Sequence, residues 1–397
     1  MNREEIPVHG HCDPRFEKVR EIFIDNLSAG TDLGAAVAFT LDGRSVVDLW
    51  GGWLSFDHQR EWQRDTLVNV YSTTKGMTAI CAHQLVERGQ LDLDAPVAEY
   101  WPEFAAAGKQ DVPVRWLLSH RVGLPGVREP LPHGTLYDWE RFTQALAAER
   151  PWWKPGEQHG YHAITFGHLV GEVIRRISGQ SVGDYFEQNV ATPLDADFHI
   201  GLDAEHDART SDLHGRLVDK DAVPDVSQIP EPLREFMRSM TDPSTMTGAA
   251  FGNPVQKEGD VNTRAWRQAE IPAANGHGTA RALARIYGAL ARGGEVDGVR
   301  ILAPASIDAA IVEQSSGPDA VLGGLPMRFG LGFMLCSPIM PLSPSRRSFG
   351  HPGAGGSIGM ADPDAGVGFG YTLNKMQMGL VGGAGGFAML GAFFEAL

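Results

Sequence analysis

The order of elements along the chain constrains its fold most. A helix and a hairpin open it, helical patterns fill the middle, and strands followed by a helix close it. Residues 13–28 place Phe16, Val19, Ile22, Phe23 and Leu27 at helical spacing, behind an Asp13 N-cap and Pro14 at the first helical position. Residues 35–50 read as a hairpin: AAVAFTL and RSVVDLW flank Asp42-Gly43, residue types that tolerate the positive φ of a tight turn. Helical patterns recur at 72–89, 112–119, 138–149 and 164–178, and again from Thr279 to Gly293-Gly294. The polar, Pro-rich stretch 202–262 has little periodicity and predicts extended loops with short helices. Strand-like runs follow at 329–335, 355–361 and 366–374, and a helix closes the chain over about 383–396. This pattern predicts one antiparallel sheet built from both chain ends. With 397 residues the chain exceeds what one core usually serves, so two structural regions, or one large α/β body with an insertion, are expected.

The net charge of −15, with no Lys/Arg-rich run, excludes nucleic acid and an anionic membrane as expected partners. The first residues, MNREEIP, lack a basic start followed by an apolar stretch, so no signal peptide is expected. No run of about 18 apolar residues predicts a transmembrane helix. Cys12, Cys81 and Cys336 are too widely spaced for a disulfide framework or a zinc site, and a reducing cytoplasm is the expected compartment. His9, His11 and Cys12 lie close together but have no further ligands nearby in sequence, so they are read as incidental. No metal or other cofactor is expected.

Two serine motifs compete for a nucleophile. Gly355-Gly356-Ser357-Ile358-Gly359 matches Gly-x-Ser-x-Gly, which works where a strand precedes the serine and a helix follows it. Here Met360-Ala361-Asp362-Pro363 follows, so Ser357 is read as part of a glycine-rich strand. Ser72-Thr73-Thr74-Lys75 is the one Ser-x-x-Lys in the chain. Extended residues 66–71 precede it, and Met77, Ile80, Cys81, Gln84 and Leu85 follow at helical spacing. Ser72 then stands at a helix start, where free N–H groups favour a developing oxyanion. Lys75 shares its face and acts as a base if burial lowers its pKa from about 10.4.

Three further segments join YSTTK at 71–75: LLSHRVGLP at 117–125, WKPGEQHGYHA at 153–163 and FGHPGAGG at 349–356. In this order over nearly the whole chain, they resemble the penicillin-recognising serine hydrolases, specifically the class C β-lactamase-like family and its family VIII carboxylesterase branch. The resemblance implies an α/β (α+β) fold of the β-lactamase/penicillin-binding-protein kind. An antiparallel sheet flanked by helices comes from 1–89 and 275–397, a mostly helical region spans 90–274, and the active site lies in the groove between them. It implies Ser72 as the acylated serine, Lys75 as its lysine, and Tyr161 as the tyrosine of Tyr-x-Asn, a general base or shuttle. The backbone N–H groups of Ser72 and Ala354 would form the oxyanion hole. His351-Pro352-Gly353 would replace Lys-Thr-Gly, with His351 and Gly353 on the groove wall. A tyrosine acting as a base needs a lowered pKa, and a Lys75 cation is the expected cause.

Two departures from the family pattern bear on substrate. Tyr161-His162-Ala163 lacks the asparagine that holds a lactam's side-chain amide, and His351 replaces a lysine with a side chain mostly neutral at pH 7. Both favour esters over carboxylate-bearing lactams. The expected function is therefore a serine carboxylesterase acting on short-chain acyl esters through a covalent acyl-enzyme, its partner a small-molecule ester. The alternatives are a β-lactamase, D-amino-acid peptidase or amidase on the same residues, an acyltransferase, or an inactive ligand-binding homologue. Trp152, Trp153 and Tyr137 are candidates for lining an acyl pocket. His120, Lys154-Pro155-Gly156 and Asn275-Gly276-His277-Gly278 are read as structural supports.

Overall fold

The structure, a computed structural model, describes residues 6–215, 231–377 and 382–397. Among these, nine strands form one sheet: β1 (Val8–Cys12), β2 (Gly34–Leu41), β3 (Arg44–Gly52), β4 (Ser315–Pro318), β5 (Pro326–Phe329), β6 (Met334–Leu335), β7 (Phe349–Pro352), β8 (Ile358–Asp362) and β9 (Val367–Leu373). Their order across the sheet is β1-β3-β2-β9-β8-β7-β6-β5-β4, antiparallel throughout. The predicted hairpin is β2–β3, and Asp42 and Gly43 turn it with φ of 50° and 78°. The antiparallel sheet with helices on it is the α+β, β-lactamase-like architecture that the sequence implies.

Helices cover both faces. On one, α1 (Glu17–Ser28) and α6 (Ala384–Ala396) bury a stack in which Phe393 lies 4.2 Å from Phe16 and 4.1 Å from Phe39, ring centre to ring centre. On the other, α5 (Ala280–Ala291) comes so close to β9 that side chains are excluded. A Cβ at Gly370 would stand 2.1 Å from the Ala280 carbonyl oxygen, which is why that strand carries glycines. The middle of the chain supplies α3 (Trp139–Ala148) and α4 (Thr165–Ser178). Asp138 caps α3 by accepting from the Arg141 N–H at 3.1 Å, and α4 stops at Gly179 with φ of 73°. The helix that follows Ser72, α2 (Thr74–Glu87), is buried from Thr74 to Leu85 and packs against α4.

Several predicted boundaries move. The pattern at 112–119 shrinks to one turn, Arg115–Leu118. The run 329–335 divides between β5 and β6, because the Leu331 and Gly332 N–H groups donate to Ala310 and Leu118 outside the sheet. In the run 355–361 only the second half is strand, since Gly355 and Gly356 have φ of 84° and 125° and belong to the β7–β8 turn. Within 202–262, Glu231–Thr241 forms an eleven-residue helix, longer than expected, and residues 216–230 lie outside the described residues. The edge strand β1 was not predicted. It leaves His9 and His11 exposed and buries Cys12 on the opposite side. Among the described residues no group of three or more His, Cys, Asp or Glu is arranged to hold a metal, and no helix is long and apolar enough to cross a membrane.

Candidate active site

Ser72 sits on a turn between a short strand, Val68–Asn69, and α2. The preceding residue, Tyr71, has φ of 43°, a left-handed conformation that a bulky side chain adopts only when its surroundings enforce it. Those surroundings are visible. The Val70 N–H donates to Gly276 at 2.9 Å, and the Thr74 hydroxyl donates to the Tyr71 carbonyl at 2.6 Å while accepting from the Gly276 N–H at 2.8 Å. The Asn275–Gly278 segment thus braces the turn through its backbone. The N–H groups of Ser72 and Ala354 have no acceptor among the described residues.

Lys75, one turn on from Ser72, is fully buried. Its Nζ lies 2.7 Å from the Ala163 carbonyl oxygen, 2.9 Å from that of Ala273 and 3.0 Å from the Ser72 Oγ. No carboxylate is among these partners, and burial holds the amine well below the ordinary lysine range. A neutral amine has two N–H donors and one lone pair. The two carbonyls take both donors, which leaves the lone pair for the Ser72 hydroxyl.

Tyr161 completes the group. Its ring centre is 4.8 Å from Lys75 Nζ, and its phenol lies close enough to the Ser72 hydroxyl to interact with it. Burial pushes the phenol well above its ordinary pKa, and the interaction with Ser72 opposes that rise. The expectation that a Lys75 cation depresses this phenol is therefore corrected, because burial that keeps the ammonium discharged also keeps the phenol protonated.

The Tyr161 segment is pinned by buried side chains. His120, at φ of 60°, accepts the His162 N–H on Nδ1 at 3.1 Å, and His162 accepts the Leu124 N–H on Nε2 at 3.0 Å. Asp319, which sequence reasoning missed, accepts the Tyr161 N–H on Oδ1 at 3.0 Å. A lone aspartate 158 positions away carries no local signal that it will meet Tyr161.

His351 on β7 is buried, and its ring centre lies 6.0 Å from that of Tyr161. Burial, aided by Lys75, pushes its pKa down to about 3, so the ring is neutral. Its Nδ1 donates to the Pro352 carbonyl at 2.7 Å, and its Nε2 has no partner. Gly353 is packed against the Ser72 turn: a Cβ there would stand 2.1 Å from both the Val70 carbonyl oxygen and the Ser357 Oγ. Ser357 begins no helix; β8 follows it. Its hydroxyl donates to the Val70 carbonyl at 2.8 Å and lies 3.1 Å from the Thr73 hydroxyl, so it clamps the β7–β8 turn to the Ser72 turn.

The aromatic candidates divide. Trp153 reaches the Tyr161 segment, with its ring 5.9 Å from His162, centre to centre, and packed against Gly160. Trp152 instead donates its indole N–H to Gly126 at 2.8 Å and lies under the Arg128 guanidinium at 4.0 Å. Tyr137 lines a separate cavity of about 630 Å³ with Trp139, Glu140, Arg175 and Glu270, away from Ser72.

A sheet built from both chain ends, with a serine at a helix start touching a buried lysine and a tyrosine, defines a class: the serine hydrolases of β-lactamase fold. The β-lactamase family model matches residues 23–384, and the chain belongs to that family. A family VIII carboxylesterase of known structure is similar over 98% of this chain and 100% of its own, at 39% identity and a TM-score of 0.89. A penicillin-binding protein homologue from Caulobacter crescentus gives 38% identity and a TM-score of 0.88, covering 98% of this chain and 100% of its own. The esterase/beta-lactamase LipL of Mycobacterium tuberculosis is 37% identical over 383 residues, 94% of this chain and 84% of LipL. The protein is thus a serine hydrolase on the family VIII carboxylesterase-like branch.

Proposed function

We propose that the protein is a carboxylesterase that hydrolyses short-chain acyl esters through an acyl-enzyme on Ser72. The observation that carries this reading is the Lys75 amine, buried, with two carbonyls on its N–H groups and its remaining position 3.0 Å from the Ser72 hydroxyl. As Ser72 Oγ attacks the ester carbonyl carbon, its proton passes to the Lys75 lone pair. The carbonyl oxygen becomes an oxyanion facing the N–H groups of Ser72 and Ala354. Collapse breaks the ester C–O bond. Tyr161 gives its phenolic proton to the departing alkoxide and recovers one from the Lys75 ammonium. Water then attacks the acyl group by the same route, and Ser72 leaves. The raised phenol and the lowered amine suit these roles, acid for Tyr161 and base for Lys75.

Esters are favoured over lactams because the neutral His351 offers no fixed cation for a carboxylate, and Ala163 offers no side-chain amide. The carboxylesterase of known structure at 39% identity supports the same choice. Trp153, rather than Trp152, is the aromatic wall of the acyl site, and His351 and Gly353 form the opposite wall. The site is assigned to the groove between a sheet region of 1–89 with 275–397 and an inserted region of 90–274. Three free cysteines suit a reducing, cytoplasmic setting.

The test is hydrolysis of p-nitrophenyl butyrate by the wild type, Ser72→Ala and Ser357→Ala. Ser72→Ala is expected to lose on the order of 10³-fold or more in kcat, and Ser357→Ala to remain active. Full activity in Ser72→Ala would overturn the proposal. The name of LipL joins esterase to β-lactamase, so a chromogenic cephalosporin is the competing substrate; turnover faster than the best ester would reverse the substrate order.

A further inference from the structure

The loop between β4 and β5 carries a carboxylate that no solvent reaches. Asp319 is 0% exposed, and its Oδ1 accepts three backbone N–H groups: Tyr161 at 3.0 Å, Val321 at 2.9 Å and Leu322 at 2.9 Å. Burying a carboxylate costs several kcal/mol unless its hydrogen bonds are met, so such a group in a loop calls for a reason beyond folding that loop. Two of the three bonds fold the loop on itself. The third ties it to the residue whose phenol touches Ser72. A fourth link, from the Ala320 N–H to the His159 carbonyl at 3.1 Å, makes the loop a splint along residues 159–161.

We propose that Asp319 is the positioning residue of Tyr161, its buried carboxylate fixing the Tyr161 main chain and so setting where the phenol stands against Ser72. This rests on the acyl-enzyme reading above. The carboxylate touches neither substrate nor reacting atoms and acts through the tyrosine.

Charge gives the arrangement a second effect. The titratable groups facing the phenol are Lys75 at 4.8 Å, His120 at 5.1 Å and His351 at 6.0 Å, with His159 and His162 beside it in sequence. Burial holds every one of these towards its neutral form. Asp319 is the group whose negative charge raises the phenol further. Burial raises the Asp319 pKa, and the three N–H donors and His159 oppose that rise. A phenol kept protonated is what donation to an alkoxide requires. Asp319 Oδ2 has no hydrogen-bond partner and stands 3.9 Å from His159 Nε2, an ion pair only when that ring is protonated, which burial opposes.

The test compares Asp319→Asn, whose amide oxygen still accepts the three N–H groups without a charge, with Asp319→Ala, which removes both. Asp319→Ala is expected to lose about 10²-fold in kcat with KM within a few-fold of wild type, the signature of a displaced reacting group. Asp319→Asn is expected to recover most of that kcat near pH 7 while its alkaline limb moves to lower pH. If Asp319→Ala does not fold, the alkaline limb of Asp319→Asn decides alone. Two results would overturn the proposal: an alkaline limb unchanged in Asp319→Asn, or wild-type kcat in Asp319→Ala. Labelling of Ser72 by a fluorophosphonate separates the two readings. A folded wild type left unlabelled at Ser72 removes the acyl-enzyme reading. A labelled wild type with Asp319 variants of identical labelling rate and pH dependence removes only this one.

Discussion

Acid should unfold this protein at an unusually mild pH, and buried histidines set the reason. His162, His168, His277 and His351 are each buried, and burial depresses each pKa from 6.5 to about 3. In the unfolded chain they titrate at the ordinary value. Between pH 6.5 and 3 the unfolded state therefore binds protons that the native state refuses, and stability falls as pH falls. Each such imidazole costs about 1.4 kcal/mol per pH unit below 6.5. At pH 5 the four together cost about 8 kcal/mol, against a whole-domain stability of about 5–15 kcal/mol. Asp32 works the other way. Its carboxyl, raised to about 6 by burial, takes up a proton in the native state first and returns about 1.4 kcal/mol at pH 5. The net loss of about 6–7 kcal/mol is comparable with that whole stability, so the protein should be much less stable at pH 5 than at pH 8. His168 isolates the cause, since neither ring nitrogen has a partner and the ring packs 4.7 Å from Trp139, away from Ser72. Urea unfolding at pH 8 and pH 5, followed by tryptophan fluorescence, should show His168→Leu gaining about 2 kcal/mol relative to wild type between the two pH values. Taking the difference between pH values removes the packing change, which is common to both. An equal effect at pH 8 and pH 5 would refute the reasoning.

Catalysis should also fail in acid, through Lys75. Burial pushes its pKa down, and the amine gains its proton as pH falls, so kcat/KM should drop along a single acid limb that is lost only with loss of function in Lys75→Met. Ser357→Ala leaves the Val70 carbonyl without its 2.8 Å donor, and should cost about 1–3 kcal/mol in urea unfolding while kcat stays within a few-fold. Gly353→Ala should be folded and inactive, because its Cβ would stand 2.1 Å from the Val70 carbonyl oxygen in the turn before Ser72; circular dichroism and ester turnover check both halves.

What was legible in the sequence was local. Asp42-Gly43 announced its turn, and Asp138 and Gly179 marked helix ends, because each acts on residues within a turn of itself. Ser72 and Lys75 were legible together for the same reason, as neighbours on one helical face. The resemblance brought in Tyr161, which no spacing links to them. The acceptors that leave Lys75 a free lone pair are the carbonyls of Ala163 and Ala273, and a backbone oxygen has no letter in a sequence. Asp319 and the division between β5 and β6 were hidden likewise. In each, a partner distant in the chain decides what a residue does. The electrostatics of Tyr161 failed for a related reason, because burial of both side chains outweighs an attraction that assumed a charged lysine.

The pairing of β2 with β9 has a consequence for synthesis. Gly34–Leu41 is made long before Val367–Leu373, the strand that seven of its residues face. The nascent chain holds a β2–β3 hairpin with one apolar edge exposed for most of translation, while the helical middle is made. The sheet cannot close until β9 has been made, and that open edge is where a chaperone would bind or two nascent chains would stick together.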